Sequence, residues 1–174
     1  LCFDYETAAQ AKPKMVFMLL LDRSGSMYGV MDDVKTSANT FLKSLPAAAM
    51  CAVSSFSSGF TYHNEHYENC NSGGFKLDDL EAQGSTELYT PLLRAYQSLA
   101  QEYFKDSQKA VIIITDGQIS PSAPLRQQAL AAKQDTLSFT YFLGEKEEAS
   151  LIGLSDVFLQ STSDIKNNLN QYFD

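Results

Sequence analysis

Two stretches of this chain have no polar face: Met15-Val-Phe-Met-Leu-Leu-Leu21 and Ala110-Val-Ile-Ile-Ile114. A strand with one wet face alternates apolar and polar residues, and these do not. Short continuous apolar runs read as strands covered on both sides, the arrangement of a parallel sheet whose crossover helices lie on either face. The intervening sequence supplies such helices. Val30, Val34, Ala38, Phe41, Leu42 and Leu45 fall on one face of a helix over 30–45. Asp32 and Asp33 in its first turn suit the helix dipole, and Pro46 marks its end. Leu88, Leu92, Leu93, Tyr96, Leu99, Tyr103 and Phe104 give a second helical stripe over 88–104.

Further strands are predicted over 49–56, 60–62, 136–143 and 157–160, the one at 60–62 short, at an edge and antiparallel. Pro121 and Pro124 open a helix reaching 134, a short helix covers 147–154, and Ser163 caps a last one carrying Ile165, Leu169, Tyr172 and Phe173. The expectation is an α/β fold: a doubly wound, mostly parallel six-stranded sheet with helices on both faces and one antiparallel edge strand. Residues 1–14 read as a leading arm and 15–174 as one domain, long enough for a sizeable core. The first residue is not Met, so the chain reads as an excised or processed fragment.

Both apolar runs end in chemistry. Asp22, Ser24 and Ser26 place one carboxylate and two hydroxyls at alternate positions after the first, with Gly25 letting the loop turn between the hydroxyls. The second run ends in Thr115-Asp116-Gly117. Thr86 follows Gly84-Ser85 just before the 88–104 helix. Ligands of open α/β sheets sit beyond the carboxyl ends of the strands. Short oxygen side chains gathered there suit a hard cation such as Mg²⁺ or Mn²⁺.

The sequence here resembles the von Willebrand factor A-type domain family, from about residue 15 to 173. The family's metal-ion-dependent adhesion site (MIDAS) has the pattern Asp-x-Ser-x-Ser, a distant Thr and a later Asp. Asp22, Ser24, Ser26, Thr86 and Asp116 fill all five positions. The resemblance implies a Rossmann-like fold and a non-catalytic binding module. Its cation would be Mg²⁺, or Mn²⁺ or Ca²⁺, with Ser24, Ser26 and Thr86 as direct ligands and Asp22 and Asp116 acting mainly through water. It also implies a protein partner that supplies an acidic side chain to the metal. Tyr28, Ser58, Glu87, Tyr89 and Gln118 form the expected rim around it. In some members the last helix shifts when a partner binds; here that helix is 163–173.

Competing readings follow from the same residues. A Mg²⁺-dependent phosphohydrolase would use Asp22 or Asp116, but the second position after the first strand is Ser24 rather than a second Asp. A scaffold domain with an unused metal site is the other alternative. His63, Glu65, His66, Glu68 and Cys70 form a second cluster, yet their spacing matches no standard zinc pattern. The net charge of −8 argues against nucleic acid or an anionic membrane surface as partner. No apolar run reaches the length of a membrane span. A monomer is expected for the isolated domain. Of the three cysteines, Cys51 reads as a buried free thiol, a Cys2–Cys70 pair stays open, and the odd count leans towards a reducing compartment.

Overall fold

A computed structural model describes residues 12–64, 66–73, 75–116, 119–143, 151 and 153–159. The first apolar run is strand β1, Met15–Asp22, and lies inside the sheet between β2, Met50–Phe56, and the strand grown from the second run. Two short strands follow β2 in the chain: β3, Phe60–Tyr62, and β4, Glu68–Asn69. Then come β5, Gln108–Thr115, β6, Leu137–Phe142, and β7, Val157–Leu159. The sheet order is β3-β2-β1-β5-β6-β7. β1 pairs in parallel with β2 and β5, as β5 does with β6 and β6 with β7. Both β3 and β4 run antiparallel to β2. The doubly wound, mostly parallel architecture is therefore as expected, with β4 as a seventh strand. Two polar residues carry no periodicity, so β4 is invisible to pattern reading.

The lack of a polar face on β1 now has its reason. Phe17, Leu19 and Leu21 pack on one side with Val34, Ala38, Phe41 and Leu42 of helix α1, Met31–Ser44. Val16, Met18 and Leu20 pack on the other with Leu92, Tyr96 and Leu99 of helix α2, Tyr89–Leu99, and Ala129 of helix α3, Ala123–Lys133. Helix ends differ from expectation by small, explicable amounts. Leu45 leaves α1 with an extended ψ of 152° because the residue before a proline avoids the helical region. The stripe over 88–104 is two elements. Gln101 takes ψ 144°, its side chain donates to the Ser98 carbonyl at 2.8 Å, and a 3-10 turn, Glu102–Phe104, follows. That break brings Phe104 back onto Tyr67, ring centroids 4.8 Å apart. Pro124 lies in the first turn of α3 and Pro121 outside it. The expected helices over 147–154 and 163–173 fall largely or wholly outside the described residues.

The cysteine reading needs correction. Cys51 is not a free thiol; it is bonded to Cys70. Register brings the two together, since β4 pairs Glu68 with Cys51 and the Cys70 amide donates to the Ala49 carbonyl at 3.0 Å. The bridge removes the ground for leaning towards a reducing compartment, because disulfides persist in oxidising ones. It closes a sequence separation of 19 residues. The double variant Cys51→Ala/Cys70→Ala should lose about 3 kcal/mol of stability in urea unfolding, as expected for a loop of that size. Mass mapping without reductant should recover the two cysteines in one joined peptide. Recovery of both as free thiols would refute the pairing.

Candidate metal centre

β1 is where the sheet order turns, with β2 on one side and β5 on the other. A crevice opens beyond the strand ends at such a point. Asp22 closes β1 and is fully buried. Its Oδ1 accepts from the Ser24 amide at 2.8 Å, and its Oδ2 from the Thr115 hydroxyl at 2.7 Å. Burial pushes the Asp22 carboxyl above its ordinary value; the hydrogen bonds from Ser24 and Thr115 oppose the rise, and the Asp116 charge adds to it. Among the described residues, neither ion pair includes Asp22.

The chain then forms a 3-10 turn, Gly25–Met27, anchored by the fully buried Met27. The Ser24 and Ser26 hydroxyl oxygens lie 3.2 Å apart, the first buried and the second exposed. Thr86 is buried in the loop leading into α2. Backbone bonds stitch that loop to its neighbours. The Gly25 amide donates to the Gly84 carbonyl, Gln83 to Arg23, Glu87 to Ser57 and Ser120 to Thr86, all within 2.9 Å. Gly84 has φ +80°, and a Cβ there would stand 2.6 Å from the Ser58 hydroxyl. The turn thus requires glycine on two counts. Asp116 follows β5 directly and is half-buried.

The five residues chosen from the sequence therefore lie on three adjoining segments at the carboxyl end of the sheet. Pattern reading missed Thr115, which orients Asp22, and Gly84, which fixes the Thr86 loop. A hydroxyl closing an otherwise apolar buried strand was the available sign of the first. The rim expectation changes at two positions. Tyr89 is core, 1% exposed. Glu87 Oε1 accepts from the Thr90 amide at 3.0 Å and so caps the start of α2. Gln118 lies outside the described residues. Ser58 is exposed and bonds Ser85, and Tyr28 is 85% exposed.

Glu65 of the second cluster lies outside the described residues, and the described members gather no metal-ligand set. Cys70 is in the disulfide and His63 Nε2 meets the Ser55 hydroxyl at 2.7 Å. Among the described residues no three His, Cys, Asp or Glu side chains stand together as metal ligands. The Ser55–His63 contact was not foreseen either. Ser55 is fully buried in β2, so the pair supports the hairpin and offers no reachable nucleophile.

This fold and this arrangement of loops define a known class. The family model for the von Willebrand factor type A domain matches residues 17–118, and the chain belongs to that family. A von Willebrand factor A domain-containing protein of Dictyostelium discoideum is 28% identical over 97% of this chain. The chain spans 19% of that relative's length. The von Willebrand factor type A structure from Catenulispora acidiphila superposes with a TM-score of 0.69 at 17% identity, covering 92% of this chain and 42% of that one. Proximal thread matrix protein 1 from the mussel byssus, in a form with a zinc-occupied MIDAS motif, gives 0.68 at 18% identity, covering 95% and 48%.

Two outcomes are expected. Gly84→Ala should cost about 1–3 kcal/mol in urea unfolding. Gly29→Ala, with nothing within 4 Å of the added carbon, should stay within about 0.5 kcal/mol of wild type. The second concerns pH. Because burial raises the Asp22 carboxyl, the folded chain binds its proton more tightly than the unfolded chain. Stability then falls as pH rises from the unfolded value, 3.8, through the raised one, and the full cost is present above it. Asp22→Asn keeps an acceptor for the Ser24 amide and should raise the melting temperature of the metal-free protein at neutral pH. A melt well below wild type would mean that the charge itself holds the loop.

Proposed function

We propose that this domain is a non-catalytic protein-binding module that engages its partner through a divalent cation held by Ser24, Ser26 and Thr86, with Asp22 and Asp116 behind them. The observation that carries the reading is the Asp22 carboxylate: fully buried, aimed by the Ser24 amide and Thr115 hydroxyl, and without an ion-pair partner among the described residues. An anion in that setting is costly unless something compensates it, and a cation bound over the Ser24–Ser26 turn would do so.

The donor set fits such an ion. All five side chains offer oxygen only, the preference of Mg²⁺, Mn²⁺ and Ca²⁺. Adjacent ligands of an octahedral Mg²⁺ stand about 3.0 Å apart, close to the 3.2 Å between the Ser24 and Ser26 oxygens. Bound there, the cation supplies a Lewis-acidic position for an anionic oxygen. Three neutral hydroxyl ligands leave much of its charge unspent, so an Asp or Glu side chain from a protein partner is the fitting completion. The rigid 3-10 turn presents Tyr28 beside that position, where an exposed aromatic adds contact area. The phosphohydrolase alternative finds less support, because Asp22 is covered and both its oxygens are occupied by donors.

Calorimetric titration of Mg²⁺ and Mn²⁺ into EDTA-stripped protein tests the cation. Saturation at a hundred times the dissociation constant should add about 2.7 kcal/mol of stability, which EDTA removes. Ser24→Ala/Ser26→Ala should abolish the binding heat and keep the circular dichroism spectrum. If neither metal gives heat or raises the melting temperature of the wild type, the reading fails.

A further inference from the structure

Charge is divided between the two ends of the sheet. At the carboxyl end, Asp32 and Asp33 stand exposed on the first turn of α1. Asp78, Asp79 and Glu81 stand exposed on the neighbouring loop, outnumbering the exposed Lys76 there. That loop is tied to α1 by Lys35 Nζ donating to the Asp78 carbonyl at 3.0 Å, and to the site by the Gln83–Arg23 backbone bond. At the amino end, around the starts of β1 and β5, lysines outnumber carboxylates, which here are Glu102 and the exposed Asp106. Lys12, Lys14 and Lys105 are exposed and Lys109 half-buried. The starts of β1 and β5 bring them together: the Gln108 amide donates to the Lys14 carbonyl, and Val16 pairs with Lys109. In their midst is Glu102, its side chain 84% exposed, 3.0 Å from Lys105 Nζ. An ion pair that open is weak and does not withhold the carboxylate.

We infer that this domain associates head to tail with a second copy of itself, Glu102 of one copy completing the cation site at Ser24 and Ser26 of the next while the surrounding lysines face its acidic rim. The inference rests on the cation reading above and names the partner of that site. Each end is what the other lacks: one offers a cation among carboxylates, the other a carboxylate among lysines. Complementary potentials of this kind steer and register an interface. Joining opposite ends of the sheet, separated by about 26 Å along β1, leaves both outer ends unused, so the contact repeats into open chains instead of closing as a two-fold dimer. Without the cation, Glu102 would face the Asp22 and Asp116 carboxylates with nothing to bridge them, so association is expected only in the metal-bound form, whereas the sequence alone predicts a monomer throughout.

Sedimentation velocity over a range of protein concentrations, in Mn²⁺ and then in EDTA, tests this beside calorimetric Mn²⁺ titration of the same samples. The expected result is a sedimentation coefficient that climbs with concentration in Mn²⁺, climbs less at high salt, and stays monomeric in EDTA. Glu102→Gln should remain monomeric in Mn²⁺ with its Mn²⁺ heat intact. Lys12→Glu/Lys14→Glu should weaken association about tenfold or more. Wild-type protein that binds Mn²⁺ yet stays monomeric overturns this inference and leaves the cation reading standing. Glu102→Gln that assembles as wild type does also overturns it. Absence of Mn²⁺ heat overturns both.

Discussion

Asp22 has one oxygen on the Ser24 amide and the other on the Thr115 hydroxyl, and most of the molecule arranges that contact. The Ser24 amide is in place because the chain turns immediately after β1. Thr115 is in place because β1 and β5 run parallel and in register, Leu21 opposite Ile114. Both strands keep that register because each is packed on two faces, and a slip by one residue would exchange the side chains meant for α1 with those meant for α2. The apolar runs and the polar site are thus one device: the grease fixes the strand ends, and the strand ends fix the carboxylate.

The loops follow the same logic with backbone groups. Gly25 gives its amide to Gly84, Glu87 gives its amide to Ser57, and Ser120 gives its amide to Thr86. The Thr86 loop is therefore held from three directions by bonds that do not depend on side-chain identity, glycine at 84 excepted. That explains why Ser58 and Ser85 can be exposed beside a buried Thr86 without loosening it.

Much of this was legible in the sequence because the strongest local signals agree with the global fold. Uninterrupted apolar runs, amphipathic stripes and oxygen side chains at strand ends each carry a stated physical meaning, and they pointed to one architecture. What escaped reading depends on long-range partners. Cys51 pairs with Cys70 only because a two-residue strand settles on the outer edge of β2. Tyr89 and Glu87 look like rim residues by position, but one is drawn into the core and the other into capping a helix. Ser55 and His63 meet across a hairpin whose register no periodicity announces. The single stripe over 88–104 concealed the turn at Gln101, because both halves pack against the same hydrophobic cluster and so share one apolar face.

The outer edge of β2 is closed by the residues that follow it in the chain. Its sequence, Met-Cys-Ala-Val-Ser-Ser-Phe, is uncharged and fully buried. Alone at the border of a sheet, such a strand is a template for other chains. Here the short strands β3 and β4 split that edge between them, covering Ser54–Phe56 and Met50–Cys51 respectively, while the Asn64 side chain accepts from the Val53 amide at 2.8 Å in the gap. The disulfide fastens the β4 half. The irregular stretch after β2 is thus a guard against aggregation, a border sealed in three short pieces, none long enough to extend the sheet into another molecule.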